Sequence, residues 1–191
     1  DYVLHLAGIA GVERSVKDPE ETLNVAFQAT LNVLSAAREH KIRRVIYASS
    51  SAVYGESPVL PKEETTLPTP YSPYGAAALC GEELMRVFYT TYRLETVSLR
   101  LFNVYGPRQP WDTAECAVVP RFCSMILQDQ TPVIFGDGKQ SRDFVYVSDV
   151  VEAFRLACTA PKAEGEAFNV ASGARLSISG LLAVFGQLLE R

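Results

Sequence analysis

The sequence offers little material for a metal site and no segment long enough to cross a membrane. Its 191 residues include only two histidines and four cysteines, and no two cysteines form a Cys-x-x-Cys pair. We therefore expect no metal centre. No apolar run reaches the roughly 18 residues that a transmembrane helix needs, so we expect no membrane contact. The opening residues also lack the basic segment of a signal peptide.

Positive charge is also scarce. The net charge is −4 and the isoelectric point is about 5.3, which argues against nucleic acid as a partner. The four scattered cysteines are typical of reduced thiols, so we expect a cytoplasmic protein. The chain does not open on a methionine, and it ends within a helical pattern from Ser177 to Arg191. We therefore expect a fragment of a longer protein.

The first half of the chain alternates between strand and helix patterns. Short apolar runs predict buried strands at Val3–Leu6, Val45–Ala48 and Thr96–Leu101. Between them, Pro19–His40 carries apolar residues at three-to-four spacing and Tyr74–Tyr92 is unbroken by proline, so both are predicted helices. This order predicts an α/β fold with a parallel sheet and right-handed crossovers.

The second half has weaker patterns. Five prolines predict a loop at Ser57–Pro73. The remaining expectations are a loop at Asn103–Glu115, a helix at Val118–Gln128, strands at Pro132–Phe135, Phe144–Val147 and Ala167–Val170, a helix at Val150–Thr159 capped by Ser148-Asp149, and a helix from Ser177.

Polar or small residues follow each of the first three predicted strands. These segments are Ala7-Gly8, Ser49-Ser50-Ser51 and Phe102-Asn103. Open α/β sheets bind their ligands outside the carboxyl ends of the strands. The sequence therefore predicts a ligand site at this edge of the sheet.

A series of local motifs runs through the whole chain in one order. They are His5–Gly8, Asn24-Val25, Thr30–Asn32, Tyr47–Gly55, Ser72–Gly75, Leu99–Arg108 and Gly136–Phe144. Together they resemble the extended short-chain dehydrogenase/reductase family, specifically its nucleotide-sugar epimerases and dehydratases. The resemblance implies a Rossmann-like, doubly wound parallel sheet whose N-terminal strands are missing, followed by a small, incomplete α/β substrate-binding region.

The resemblance also divides the chain. Residues 1–103 correspond to the C-terminal half of the NAD-binding Rossmann domain. Residues 104–191 belong mostly to the substrate-binding region and interleave with the Rossmann domain, to which we expect about 144–160 to return. No Gly-rich dinucleotide fingerprint occurs in the sequence, so we expect these 191 residues alone to bind NAD poorly or not at all.

In this family a serine and a tyrosine act on the 4-hydroxyl of the sugar, and the resemblance assigns these roles to Ser50 and Tyr74. A free phenol has a pKa near 10 and is about 0.1% ionised at pH 7. The family therefore places a lysine one helical turn after the tyrosine, where its ammonium stabilises the phenolate. Here that position is Ala78, so the predicted activity is impaired.

The resemblance assigns further residues to the two ligands. Those assigned to the cofactor NAD are Ala7, Gly8, Asn24, Ser49, Tyr74 and Phe102. Those assigned to the nucleotide-diphosphate sugar are Ser50, Asn103, Arg108, Val119, Phe135 and Arg142, with Arg142 on the diphosphate. The alternative for Arg142 is a surface ion pair with Asp137 or Asp143.

The reaction type follows from two neighbours of Ser50. Related 4,6-dehydratases carry an Asp-Glu pair where this chain has Ser51 and Ala52, and neither of these can act as an acid or base. The resemblance therefore favours NAD-dependent 4-epimerisation of a UDP-sugar through a 4-keto intermediate. The alternatives are a non-catalytic nucleotide-sugar-binding paralogue, a 4,6-dehydratase or a 4-keto reductase.

Members of the family commonly form homodimers through a four-helix bundle. The candidate helices are Pro19–His40 and Tyr74–Tyr92. The second helix carries four residues that we assign to this surface: Leu84, Val87, Phe88 and Thr91.

Overall fold

The computed structural model describes residues 1–113 and 116–189. Its strands are β1 (Tyr2–His5), β2 (Arg44–Ser50), β3 (Glu95–Leu101), β4 (Asn103–Tyr105), β5 (Ser141–Arg142), β6 (Phe144–Tyr146), β7 (Ala167–Val170) and β8 (Leu176–Ser177). Its α-helices are α1 (Val12–Lys17), α2 (Pro19–Glu39), α3 (Pro73–Tyr92), α4 (Val118–Leu127), α5 (Val147–Thr159) and α6 (Ile178–Leu188). A 3₁₀-helix covers Ser51–Tyr54.

The chain forms two compact units. The first contains Asp1–Leu101 and Val150–Val170, and the second contains Phe102–Asp149 and the described part of Ala171–Arg191. None of the helices in the described ranges is long and apolar enough to span a bilayer.

A four-stranded parallel sheet organises the first unit. Its strand order is β1-β2-β3-β7, and every neighbouring pair is parallel. The register sets Ser50 beside Leu101 and Leu101 beside Val170. The carboxyl ends of these strands therefore lie at one edge of the sheet, which confirms the predicted parallel α/β fold.

Helices cover both faces of this sheet. On one face, Leu34 of α2 and Met85 and Phe88 of α3 pack with Val45 of β2 in a single buried cluster. Side chains alternate between faces along a strand, and Arg44, the neighbour of Val45, instead contacts carbonyls at the end of α5. The sheet is therefore doubly wound, as the resemblance implies.

The second unit has two small sheets and a separate apolar core. Strands β4 and β6 pair in parallel, and β5 and β8 pair in antiparallel fashion. Phe122 of α4 packs against Ile178 and Leu181 of α6, and the Phe122 and Phe185 rings meet edge to face.

Three sequence predictions for the second half are wrong. Pro132–Phe135 is not a strand: none of the strands among the described residues pairs with it, and Phe135 is 71% exposed. Asn103–Tyr105, predicted as loop, is a strand because it pairs with Phe144–Tyr146. The other end of that predicted loop, Glu115, lies outside the described residues. Strand β6 ends at Tyr146, and helix α5 begins at the next residue, Val147. Ser148-Asp149 therefore lies in the first turn of α5 and does not cap the helix.

Candidate active site

Ser50 is the last residue of β2 and stands at the carboxyl edge of the sheet. Its backbone is extended, and its Oγ accepts a hydrogen bond of 3.1 Å from the N–H of Ala52, so it caps the 3₁₀-helix that follows. A hydroxyl has one proton and two acceptor lone pairs. Ser50 can therefore still donate its proton to a ligand hydroxyl at this edge.

Tyr74 lies in the first turn of α3 and is half-buried. Pro73 begins the helix, and the Oγ of the preceding Ser72 caps it by accepting from the N–H of Gly75 at 3.1 Å. This combination of a serine cap and a proline at the first helical position fixes where the helix starts. The positive end of the helix dipole favours a negative charge at this turn, which suits a phenolate.

The first turn of α3 packs directly on the 3₁₀-helix that follows Ser50. A Cβ on Gly75 would lie 2.6 Å from the carbonyl oxygen of Ala52, closer than real Cβ atoms come to backbone. Only glycine therefore permits this approach, which joins the segment that carries Tyr74 to the segment that Ser50 caps.

Ala78 follows Tyr74 by one turn and is 6% exposed. It lies in the buried stripe of α3, which contains no lysine at any position. The lysine that the family places after the tyrosine is therefore absent from this helix.

A second phenol, Tyr47, approaches the same helix but does not suit acid–base work. Its ring packs over Gly81, where a Cβ would lie 2.4 Å from the Tyr47 hydroxyl oxygen. Burial raises the pKa of Tyr47 well above its usual range, and the nearby Tyr74, Glu82 and Cys80 raise it further. Tyr47 therefore stays protonated, and Tyr74 remains the candidate base.

A buried polar network that the sequence patterns did not predict lies next to this pair. Ser49 Oγ donates to Glu82 at 2.5 Å, and Arg100 binds the same carboxylate with Nε at 3.0 Å and Nη2 at 2.8 Å. Arg100 Nη1 also donates to the hydroxyl of Tyr54 at 2.8 Å, which in turn donates to Asn169 at 2.7 Å. The sequence does carry a signal for this network, because Glu82 lies within an apolar helix pattern and Arg100, of opposite charge, lies within an apolar strand pattern.

The residues predicted to contact NAD differ in accessibility. Ala7 and Gly8 follow β1 and are exposed, and a Cβ on Gly8 would meet nothing within 4 Å. Asn24 is exposed on α2. Ser49 is buried with its hydroxyl bound to Glu82, which leaves only its main chain for a cofactor. The backbone at Gly8 is therefore accessible.

Two of the predicted substrate residues of the second unit, Asn103 and Arg142, donate hydrogen bonds to different backbone carbonyls. Asn103 on β4 donates through Nδ2 to the carbonyl oxygen of Asp143 at 2.9 Å. Arg142 on β5 is exposed, and its Nη1 donates to the carbonyl oxygen of Ser141 at 3.0 Å.

The alternative ion pair of Arg142 is wrong. The Asp143 carboxylate accepts from the N–H groups of Ser172 and Gly173, each at 2.8 Å, and Asp137 pairs with Lys139 at 3.5 Å. Within residues 1–113 and 116–189, Arg142 has no carboxylate partner. Its guanidinium is therefore available for an anionic ligand.

Arg108 and Val119 line a different feature of the second unit, a cavity of about 770 Å³. Its walls are mainly apolar and include Trp111, Phe144 and Phe185. The residues that line this cavity do not include the predicted substrate residues Asn103, Phe135 and Arg142. They do not include Phe102, which was predicted to contact the cofactor, either. The predicted substrate residues of the second unit therefore divide between the cavity and other positions. Phe102 directly follows β3, and Phe135 is exposed in a loop.

Comparisons with known proteins identify the family of this chain. Residues 1–171 match the NAD dependent epimerase/dehydratase family. A putative UDP-glucose 4-epimerase from Methanocaldococcus jannaschii is 37% identical over 182 residues, which cover 95% of this chain and 58% of the relative. The chain thus spans a little over half the length of such relatives.

Two solved structures are similar over the whole chain. The UDP-N-acetylglucosamine 4-epimerase from Methanobrevibacter ruminantium M1, in complex with UDP-N-acetylmuramic acid, has a TM-score of 0.97 at 40% identity, and the match covers 100% of this chain and 61% of that one. A mutant of the UDP-glucuronic acid 4-epimerase from Bacillus cereus, in complex with UDP-4-deoxy-4-fluoro-glucuronic acid and NAD, has a TM-score of 0.91 at 34% identity, covering 100% of this chain and 60% of that one.

Proposed function

This chain belongs to the NAD dependent epimerase/dehydratase family, and on that premise we propose that the protein epimerises a UDP-sugar at C4 with NAD as cofactor. The observation that carries the proposal is the contact between Gly75 and Ala52. It holds the first turn of α3, with Tyr74, against the segment that begins at Ser50. The UDP-sugar complexes of the two similar structures support the substrate class.

The hydroxyls of Ser50 and Tyr74 have different roles in the proposed acid–base chemistry. Ser50 donates a hydrogen bond to the 4-hydroxyl of the sugar, which it can do because its Oγ only accepts from Ala52. Tyr74, as phenolate, takes the proton of that hydroxyl and later returns it. NAD, when bound, would supply the hydride acceptor for C4 and the hydride that is returned to the other face. Ala7, Gly8 and Asn24 would hold the cofactor, together with Phe102 and the main chain of Ser49.

Epimerisation is favoured over dehydration by the residues that follow Ser50. Loss of water requires an acid and a base near the sugar, and the first two positions of the 3₁₀-helix are Ser51 and Ala52. Neither side chain titrates in the physiological range. The 4-keto sugar would therefore only accept hydride again.

A direct assay tests the proposal. The complete protein is incubated with NAD and UDP-glucose, and the C4 epimer, UDP-galactose, is measured by chromatography. We expect slow formation of the epimer, and faster formation with Ala78→Lys. Unchanged UDP-glucose with both proteins would contradict the proposal.

The second candidate is a nucleotide-sugar-binding protein without turnover, which Ala78 favours. It predicts that UDP-glucose binds and is recovered unchanged, whatever residue stands at position 78.

Arg142→Gln should weaken the binding of UDP about 10- to 100-fold, because a charge-assisted hydrogen bond contributes about 1.5–3 kcal/mol. Isothermal titration calorimetry of the complete protein measures this change. Arg175→Gln is the matched control, since Arg175 is also exposed and donates to the neighbouring Ser141 Oγ at 3.0 Å. Equal losses in both variants would indicate a general charge effect and would count against a diphosphate contact by Arg142.

We also propose that the protein forms a homodimer through α2 and α3. Of the residues that the sequence assigned to this surface, Val87 and Thr91 are exposed and Leu84 is half-buried. Phe88 is wrongly assigned, because it is buried in the core of its own chain.

Val87→Glu should therefore convert the dimer to a monomer, since it sets a charge in the apolar centre of that surface. Light scattering at several concentrations measures the mass. Val151→Glu, which makes the same substitution at an exposed position of α5, outside the proposed surface, should leave the dimer intact. A natural protein that is monomeric at every concentration would rule out this interface.

A further inference from the structure

Two hydroxyl groups of the parallel sheet donate buried hydrogen bonds to α3. Ser49 Oγ on β2 donates to Glu82 at 2.5 Å, and Thr96 Oγ1 on β3 donates to the carbonyl oxygen of Met85 at 2.9 Å. The two bonds differ in what they join. Ser49 directly precedes Ser50, whereas Thr96 is near the start of its strand, away from the carboxyl edge.

Glu82 is connected by hydrogen bonds to the residue before Ser50 and to the segment after it. On one side its carboxylate accepts from Ser49. On the other, it holds Arg100, which donates to the hydroxyl of Tyr54 and lies over the Tyr54 ring at 4.9 Å. Tyr54 ends the 3₁₀-helix that Ser50 caps. The residue before Ser50 and the end of the helix after it therefore share one buried anchor.

The same anchor stands on the helix that carries Tyr74. Glu82 follows Tyr74 by eight residues, or about two turns of α3. A helix is stiff over this distance, so a side chain that fixes Glu82 against β2 also fixes the axial position of Tyr74. Gly75 completes the arrangement by letting the first turn meet Ala52.

We propose that the Glu82–Arg100 ion pair sets the position of Ser50 relative to Tyr74, with Ser49 and Tyr54 as its links. All four are positioning residues, and their importance for turnover depends on the proposed function. Both partners of the pair are less than a tenth exposed. A buried ion pair often contributes no more stability than apolar residues of the same size, so stability alone does not account for it.

The test compares Ser49→Ala with the matched control Thr96→Val in the complete protein. Each change removes one buried hydrogen bond between the sheet and α3, so we expect similar decreases in melting temperature. Ser49→Ala should also lower kcat tenfold or more, because small displacements of reacting groups cost large factors in rate. The Kd for UDP should stay within twofold. Thr96→Val should leave kcat within twofold, and Ser49→Thr, which keeps the hydroxyl, should restore most of the activity.

A second measurement is independent of turnover. Crystal structures of the natural protein and both variants give the distance between Ser50 Oγ and Tyr74 Oη. We expect Ser49→Ala to change this distance by about 0.5 Å or more and Thr96→Val to leave it within coordinate error. An unchanged distance in Ser49→Ala, or equal loss of kcat in both variants, would overturn the proposal. A change of distance in Ser49→Ala alone, with no epimerisation by any protein, supports the positioning role and contradicts the proposed function.

Discussion

Ala78→Lys should raise the rate of C4 epimerisation by the complete protein about 10²- to 10⁴-fold, the range that a well-placed acid–base group contributes. Long side chains in a helix lean toward its N-terminus, so a lysine at this position extends toward the preceding turn, where Tyr74 lies. Its ammonium would stabilise the phenolate of Tyr74. The helix should tolerate the change, because lysine is nearly as good a helix former as alanine.

The control for this prediction is Ala76→Lys. Ala76 lies on the same helix and is half-buried, but two residues along a helix correspond to a rotation of about 200°, which directs the ammonium away from the stripe of Ala78. It should leave the rate unchanged. Adding Tyr74→Phe to Ala78→Lys should abolish the gain, because the phenol is then absent. Equal acceleration by both lysine variants would indicate a general effect of charge.

Most elements of the first unit could be predicted because they have a local signal, whereas the short helix α1 and the 3₁₀-helix were not predicted. Helix α2 begins at Pro19 and α3 at Pro73, where a proline marks the first helical position. Strands β5 and β8 contain two residues each, too few for any periodic pattern. They exist only because Ser141 meets Ser177, a partner that lies far away in the sequence.

The residues of the candidate site show the same contrast between local signals and distant partners. Ser50 and Tyr74 were predicted because local motifs surround them, and both lie where a strand ends or a helix begins. The Glu82–Arg100 pair was missed although each charge interrupts an apolar pattern. Sequence periodicity indicates that such a residue faces the core, but it does not identify the partner. Here the partner lies on the strand after the helix, and the sheet register decides whether the two meet.

A second buried arginine, Arg44, lies in the first unit. Arg44 on β2 is 2% exposed, and all three of its nitrogens have acceptors. Nε donates to Glu95 at 2.9 Å and Nη2 to Glu164 at 2.6 Å. Nη1 donates to the carbonyl oxygens of Ala157 at 2.7 Å and Ala160 at 2.9 Å. These two carbonyls lie in the last turn of α5 and just after it, where the helix has no partners of its own.

Arg44→Met should lower the free energy of unfolding by about 3 kcal/mol. Methionine fills much of the volume of the arginine but leaves two carbonyls without a donor and two carboxylates without a counter-charge. The loss is at the lower end of the range for a broken buried ion pair, because Glu95 and Glu164 both reach solvent. Urea denaturation followed by circular dichroism measures the change.

Arg155→Met is the matched control. It removes an exposed ion pair with Glu152 on α5. Such pairs contribute little, so no measurable change in the free energy of unfolding is expected. Similar losses in the two variants would show that burial of Arg44 is not what makes its interactions strong.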